Sequence, residues 1–136
     1  MTPRTLTGPD RALLSRLLSS RSVASDASQS LADLVVGLSH AVVVRSAVVP
    51  ASVVTLDSVV RVRMLGSEAE RVLTLISGRA EPGQVSVLSP IGAALLGRRA
   101  GDVVECDVPA GRARFRIEAV VYQPEAAGAG AGIAEA

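Results

Sequence analysis

The chain has 136 residues, 49% of them hydrophobic, which is one domain's worth of sequence and enough to bury a core without disulfide or metal support. Its 14 basic and 13 acidic residues leave a net charge of +1, a balance that leans against duplex DNA binding through phosphates. With one Cys and one His and no Lys, the chain excludes a disulfide framework, a cysteine zinc site and a P-loop, and Phe115 and Tyr122 as its aromatics argue against a function built on aromatic stacking.

Three regions differ in pattern. Residues 1–49 have helical spacing, residues 50–123 have strand spacing with turn punctuation, and residues 124–136 read as a disordered tail of Ala, Gly and Glu. The start, Met1 to Asp10, is polar and does not resemble a signal peptide. The uncharged stretch Leu34 to Val44 has 11 residues, whereas a membrane span needs about 20, so the protein is expected to be cytoplasmic and not membrane-bound.

The first helix is expected to start near Thr7, with Thr7 as its cap, Asp10 completing a short capping box, and Leu13, Leu14, Leu17 and Leu18 on one face. Ser19 to Ser30 reads as a loop. A second helix follows, with Leu31, Leu34, Val35, Leu38, Ala41 and Val42 along a seam, and the pair is expected to form a short antiparallel hairpin. Pro50 ends anything helical.

Period-two alternation begins at Val59 to Met64, with Val60, Val62 and Met64 inward and Arg61 and Arg63 outward. Arg71 to Ser77 is the next strand. Pro82-Gly83 turns the chain, and Val85 to Leu88 returns. Pro90 opens a short helix to Leu96, with Ser89 as cap and Gly97 ending it. Strand Val103 to Pro109 then turns at Ala110-Gly111. That turn pairs Asp107 with Arg114 and Glu105 with Arg116 on one face, and Cys106 with Phe115 and Val104 with Ile117 on the other. The fold class is therefore α+β: a helical hairpin followed by a small antiparallel sheet carrying one short helix.

The chemistry of catalysis is sparse. His40 is the sole imidazole and reads as a helix residue without a catalytic task, and no nucleophile-elbow motif accompanies it. Cys106 reads as a buried structural thiol. Gly92, Gly97 and Gly101 fit helix-end and turn positions better than a phosphate loop. The carboxylates Glu105 and Asp107 have arginines across the strand. A binding protein is expected, not an enzyme, with no cofactor, no metal and no catalytic residue.

The run SPIGAALLGRRAGDVVECDVPAGRARFRIEAVVYQ, Ser89 to Gln123, resembles the carboxy-terminal domain of the Gre transcription elongation factors. VPASVVTLDSVVRVR (Val49 to Arg63) and VYQPEAAG (Val121 to Gly128) are similar to the nucleoside diphosphate kinase regulator (Rnk) branch of that superfamily. The resemblance implies an FKBP-like carboxy-terminal domain at 50–123 behind a truncated amino-terminal coiled coil at 1–49. It implies RNA polymerase as partner, with the domain docked on the rim coiled coil of the secondary channel, and no sequence-specific DNA binding.

In Gre factors, paired carboxylates at the coiled-coil tip hold magnesium and promote transcript cleavage. Here the tip, Ser19 to Ser30, carries Asp26 alone, so the resemblance implies regulation of elongation without cleavage. By the same resemblance the docking residues are Ser89, Pro90 and Ile91 in the loop entering the short helix. Arg98 and Arg99, on the turn after it, are added as an electrostatic contact to an acidic surface. Bland alternatives stand beside these: helix initiation for Ser89 and Pro90, a solvated basic turn for the arginines. Two other functions remain open, an FKBP-like peptidyl-prolyl isomerase and a domain that self-associates as a homodimer through its apolar second helix.

Overall fold

In the computed structural model the described residues are 3–19, 29–109 and 111–127. The chain runs β1 (Thr5–Thr7), α1 (Gly8–Ser19), α2 (Gln29–His40), β2 (Val42–Val44), a 3-10 turn (Ser46–Val48), β3 (Val59–Met64), β4 (Glu70–Ile76), β5 (Gln84–Ser86), α3 (Pro90–Leu95), β6 (Val103–Val108) and β7 (Gly111–Tyr122). Five strands form one sheet in the order β5-β4-β3-β7-β6, and β1 pairs with β2 in a separate two-stranded sheet. One face of the large sheet presents Val60, Val62, Leu73, Leu75, Val104, Cys106, Phe115 and Ile117 to the core. Helix α2 packs on α3 and on β6. Leu6, Leu14 and Leu34 of the first region join the same buried cluster.

Helix α1 starts as its sequence indicates: the Asp10 amide donates to Thr7 Oγ1 at 3.2 Å. The Asp10 carboxylate, however, does not turn back to close a capping box. It accepts from the Leu56 amide at 3.0 Å and so ties the helix to the loop before β3. Leu14 is buried and Leu13, Leu17 and Leu18 pack against the core, as the spacing requires. The segment joining α1 to α2, with the tip residue Asp26, lies outside the described residues.

Several expectations need correction. Val42, expected in the second helix, belongs to a strand instead, and β2 pairs parallel with β1. Three consecutive β-branched valines cost a helix side-chain freedom and suit a strand. Strand β5 pairs parallel with β4, with Thr74 beside Gln84 and Ile76 beside Ser86, so the sheet is mixed and not purely antiparallel. The connection 77–83 swings back until Gly83, at φ +83°, accepts from the Thr74 amide at 3.0 Å. Met64, expected inward, is exposed at the end of β3.

The β6–β7 hairpin keeps its expected faces but shifts register by two. Val108 faces Gly111, Asp107 faces Arg112, Glu105 faces Arg114, Cys106 faces Ala113 and Val104 faces Phe115. The expected closing pair placed Pro109 where a ladder N–H is needed, and proline has none. Moving the turn one residue earlier shifts every cross-strand pair by two, and so preserves inside and outside.

Pro124–Ala127, at the start of the segment expected to be a disordered tail, make a turn. Its Glu125 accepts from Thr55 Oγ1 at 2.7 Å, and the Ala127 amide donates to the Gln123 carbonyl at 3.0 Å. Residues 128–136 lie outside the described residues. Among the described residues no helix is long and apolar enough to cross a membrane.

Candidate functional site

Helix α3 is the centre of the candidate site, and its sequence explains its placement. Gly92, Ala93, Ala94 and Leu95 are all buried. Small side chains let the helix lie against the sheet. At Gly92 a Cβ would collide with the Ser86 backbone carbonyl, so this position takes no side chain. Ser89 has extended backbone, and its Oγ accepts from the Gly92 amide at 3.2 Å while donating to the Ser86 carbonyl at 2.6 Å. Pro90 occupies the first turn, where its missing N–H costs nothing. Ile91 is half-buried at the edge of the core. Ser89, Pro90 and Ile91 thus form a rigid, partly accessible entry to α3.

The far end of α3 is held differently. Gly97 has φ +78° and donates its amide to the Val54 carbonyl at 2.9 Å. The Val54 amide returns to the Arg98 carbonyl at 2.8 Å, and Val53 bridges Arg99 in antiparallel fashion. Arg99 is exposed, and its amide donates to Asp102 Oδ2 at 2.9 Å. Arg4 reaches in from the amino-terminal arm with 4% of its surface exposed, and its Nη1 donates to the Ala93 and Leu96 carbonyls at 2.7 Å each. A guanidinium there satisfies carbonyls that a helix C-terminus leaves without partners. Burial first, then the nearby Arg98 cation, push the Arg4 pKa down to about 10, against the pull of Asp33. Burial also lowers Arg98, opposed by Asp102 and Asp33. Arg98 lines an open groove with Asp33, His40, Asp102 and Glu105.

The five expected contact residues are therefore not one patch. Ser89, Pro90 and Ile91 stand at the entry of α3, while Arg98 and Arg99 follow its exit, about 9 Å away along a six-residue helix. Arg4 and Asp10 were not singled out for these partners. Arg4 lies in the polar start, whose only helpful signal is the short Thr5–Thr7 stretch of strand-forming character.

Other residues fall as their sequence context indicates. His40 is exposed, with Nδ1 3.2 Å from the Val36 carbonyl. Cys106 is a buried free thiol whose pKa is raised by burial and then by Asp107. Phe115 is buried in the core, and neither Phe115 nor Tyr122 lines the Arg98 groove. Among the described residues no group of three or more His, Cys, Asp or Glu is arranged to hold a metal ion.

A Ser-Pro entry, a small-residue helix laid on a curled sheet and a glycine exit define a Gre-type carboxy-terminal unit, and residues 49–122 match the family described as "Transcription elongation factor, GreA/GreB, C-term". The chain belongs to that family. Among its relatives, the "Regulator of nucleoside diphosphate kinase" of Escherichia coli (strain K12) is 42% identical over 83 residues, covering 58% of this chain and 61% of the relative. The "Transcription elongation factor GreA" of Clostridioides difficile (strain 630) is 42% identical over 80 residues, covering 57% of this chain and 50% of the relative. The match thus spans between half and three-fifths of these curated relatives. A solved structure, "Prokaryotic transcription elongation factor GreA/GreB from Nitrosomonas europaea", superposes with a TM-score of 0.70 at 32% identity, over 90% of this chain and 100% of the other.

Proposed function

We propose that this protein binds RNA polymerase through its Gre-like, FKBP-like carboxy-terminal unit, residues 50–123, at the rim of the secondary channel. In this reading it modulates elongation as a non-enzymatic regulator and does not stimulate transcript cleavage. The observation that carries the reading is the family match across β3 to β7, together with the Gre-type helix α3 inside it. Ser89, Pro90 and Ile91 form the docking edge, and Arg98 and Arg99 add an electrostatic contact from the other end of α3. The lack of cleavage follows from the sequence between the helices, where Asp26 has no second carboxylate beside it.

The test is binding of purified chain to core RNA polymerase, repeated with the double variant Pro90→Ala, Ile91→Ser. The reading requires wild-type binding and at least a tenfold loss in a variant that remains folded, about 1.4 kcal/mol. No wild-type binding removes the function. Unchanged affinity in the variant removes this edge. Self-association is the second reading, favoured by Val36 and Val42, which are 62% and 51% exposed on α2 and β2. Light scattering across protein concentration separates a monomer from a dimer.

A further inference from the structure

The face of the large sheet turned away from the helices carries a pattern that folding alone does not favour. Arg61 and Arg63 on β3 alternate with buried Val60 and Val62, and Arg114 and Arg116 on β7 alternate with buried Phe115 and Ile117. All four guanidinium groups therefore belong to the outer face. The register sets Arg63 directly opposite Arg116 across the β3–β7 pair. Like charges in that position destabilise a sheet.

The neighbouring carboxylates do not resolve the conflict. Glu105 and Asp107 both turn to Arg112, at 3.0 and 2.6 Å, although the backbone register puts Glu105 opposite Arg114. Glu70 and Glu118 turn to Arg63, at 2.8 and 3.9 Å. Arg114 and Arg116 are exposed and make no ion pair with any described residue. Two unpaired cations thus stand two residues apart on one central strand. On the same face, Arg116 faces Val103 and Arg61 faces Val72, which are 45% and 56% exposed. A shallow depression beside Arg116 is lined by Arg63, Met64, Leu65, Ser67 and Glu68.

We infer that this outer face is a second docking surface, in which Arg114 and Arg116 receive a pair of carboxylates from an acidic segment of a protein partner. Charge complementarity selects the chemistry. A polyphosphate backbone carries charge along its whole length and would also meet Glu70, Glu118, Glu105 and Asp107 interleaved among the arginines, whereas a peptide can place two carboxylates at Arg114 and Arg116 and uncharged side chains beside those acids. Such a peptide answers the two cations and lays apolar side chains over Val72 and Val103, a mixture of Arg and apolar surface common in protein interfaces. Under the reading above the partner is RNA polymerase, and the inference rests on that reading. The surface is separate from α3, which packs on the opposite face of the sheet.

Arg116→Glu tests the inference with two readouts. The exchange removes the Arg63–Arg116 repulsion and offers Arg63 a further carboxylate, so Tm should equal or exceed that of wild type. Affinity for core RNA polymerase should meanwhile fall at least tenfold in low salt, and the gap should narrow as NaCl is raised. A drop in Tm would make Arg116 a structural residue and overturn the inference. So would unchanged polymerase affinity in a stable variant. Wild-type chain that fails to bind polymerase overturns the functional reading itself and takes this assignment of partner with it, a result distinct from an unaffected variant. A 30-mer single-stranded RNA is the comparison probe: if wild type binds it and Arg116→Glu abolishes that binding while sparing polymerase, the face belongs to nucleic acid and the inference fails.

Discussion

Asp10 links two parts of the fold that are far apart in sequence, and its titration gives a quantitative test of the packing. Asp10 has 8% of its surface exposed, and its carboxylate accepts from the Leu56 amide. Burial pushes its pKa from 3.8 to about 6, the Glu125 and Asp57 charges push the same way, and the hydrogen bonds from Leu56 and Thr7 oppose. A raised carboxyl pKa means that between pH 4 and 6 the folded state holds a proton that the unfolded state has released. Stability is therefore greatest below the unfolded pKa and declines as pH rises through about 6. The shift of about 2 pKa units corresponds to about 3 kcal/mol, against a total of roughly 5–15 kcal/mol for a domain of this kind. Asp10→Asn retains a carbonyl oxygen for the Leu56 amide and cannot ionise. Urea denaturation of both proteins from pH 3.5 to 8 should show the variant gaining on wild type by about 3 kcal/mol between pH 4 and 7, with the difference level above that. A difference that is flat with pH, or that moves in favour of wild type as pH rises, would refute the assignment of a desolvated carboxylate. Glu125→Gln should move the transition of the wild-type curve to lower pH, because it removes one of the charges that hold the proton on.

Gly92→Ala should destabilise by more than 2 kcal/mol in the same assay, since the new methyl meets the Ser86 carbonyl and neither the helix nor β5 has room to yield. Cys106 should resist thiol reagents in the native protein and react on unfolding, and Cys106→Asp should cost several kcal/mol by burying an unpaired charge. Rapid native labelling would contradict its inward position on β6. In backtracked complexes with purified polymerase and magnesium, the chain should leave transcript length unchanged. Shortening that Asp26→Ala abolishes would show that the inter-helix segment supports cleavage after all.

Local signals made most elements legible. Thr7 capping α1, Ser89-Pro90 opening α3 and the alternation Val60, Arg61, Val62, Arg63 each depend on neighbours a few residues away, and each appears as read. What escaped depends on partners far along the chain. The parallel pairing of β5 with β4 is decided by how 77–83 folds back, which no periodicity records. The hairpin register depends on the missing N–H of Pro109, whereas the turn preference of Ala110-Gly111 taken alone indicates the other pairing. Arg4 looked like one more charge in a polar start, and only the fold brings the end of α3 to it, 89 and 92 residues away. For the candidate residues, the sequence places Ser89, Pro90 and Ile91 at the entry of α3 and Arg98 and Arg99 on the turn after it, and the structure has them at those two ends; the distant partners that hold the exit, Arg4 and Thr5, were not legible.

That division has a physical consequence. The entry of α3 is built from its own sequence neighbourhood, through Ser86, Ser89 and Gly92. Its exit is built from the amino-terminal arm, through the Arg4 guanidinium and the Thr5 amide, which donates to the Gly97 carbonyl at 3.0 Å. The Arg4 carbonyl in turn accepts from the Val42 amide at 2.8 Å, so the arm that holds the end of α3 also holds the start of β2 beyond α2. The exit of α3 and the start of β2 thus share Arg4 as a partner, through its side chain and its carbonyl, while the Ser-Pro entry is held by bonds within residues 86–92.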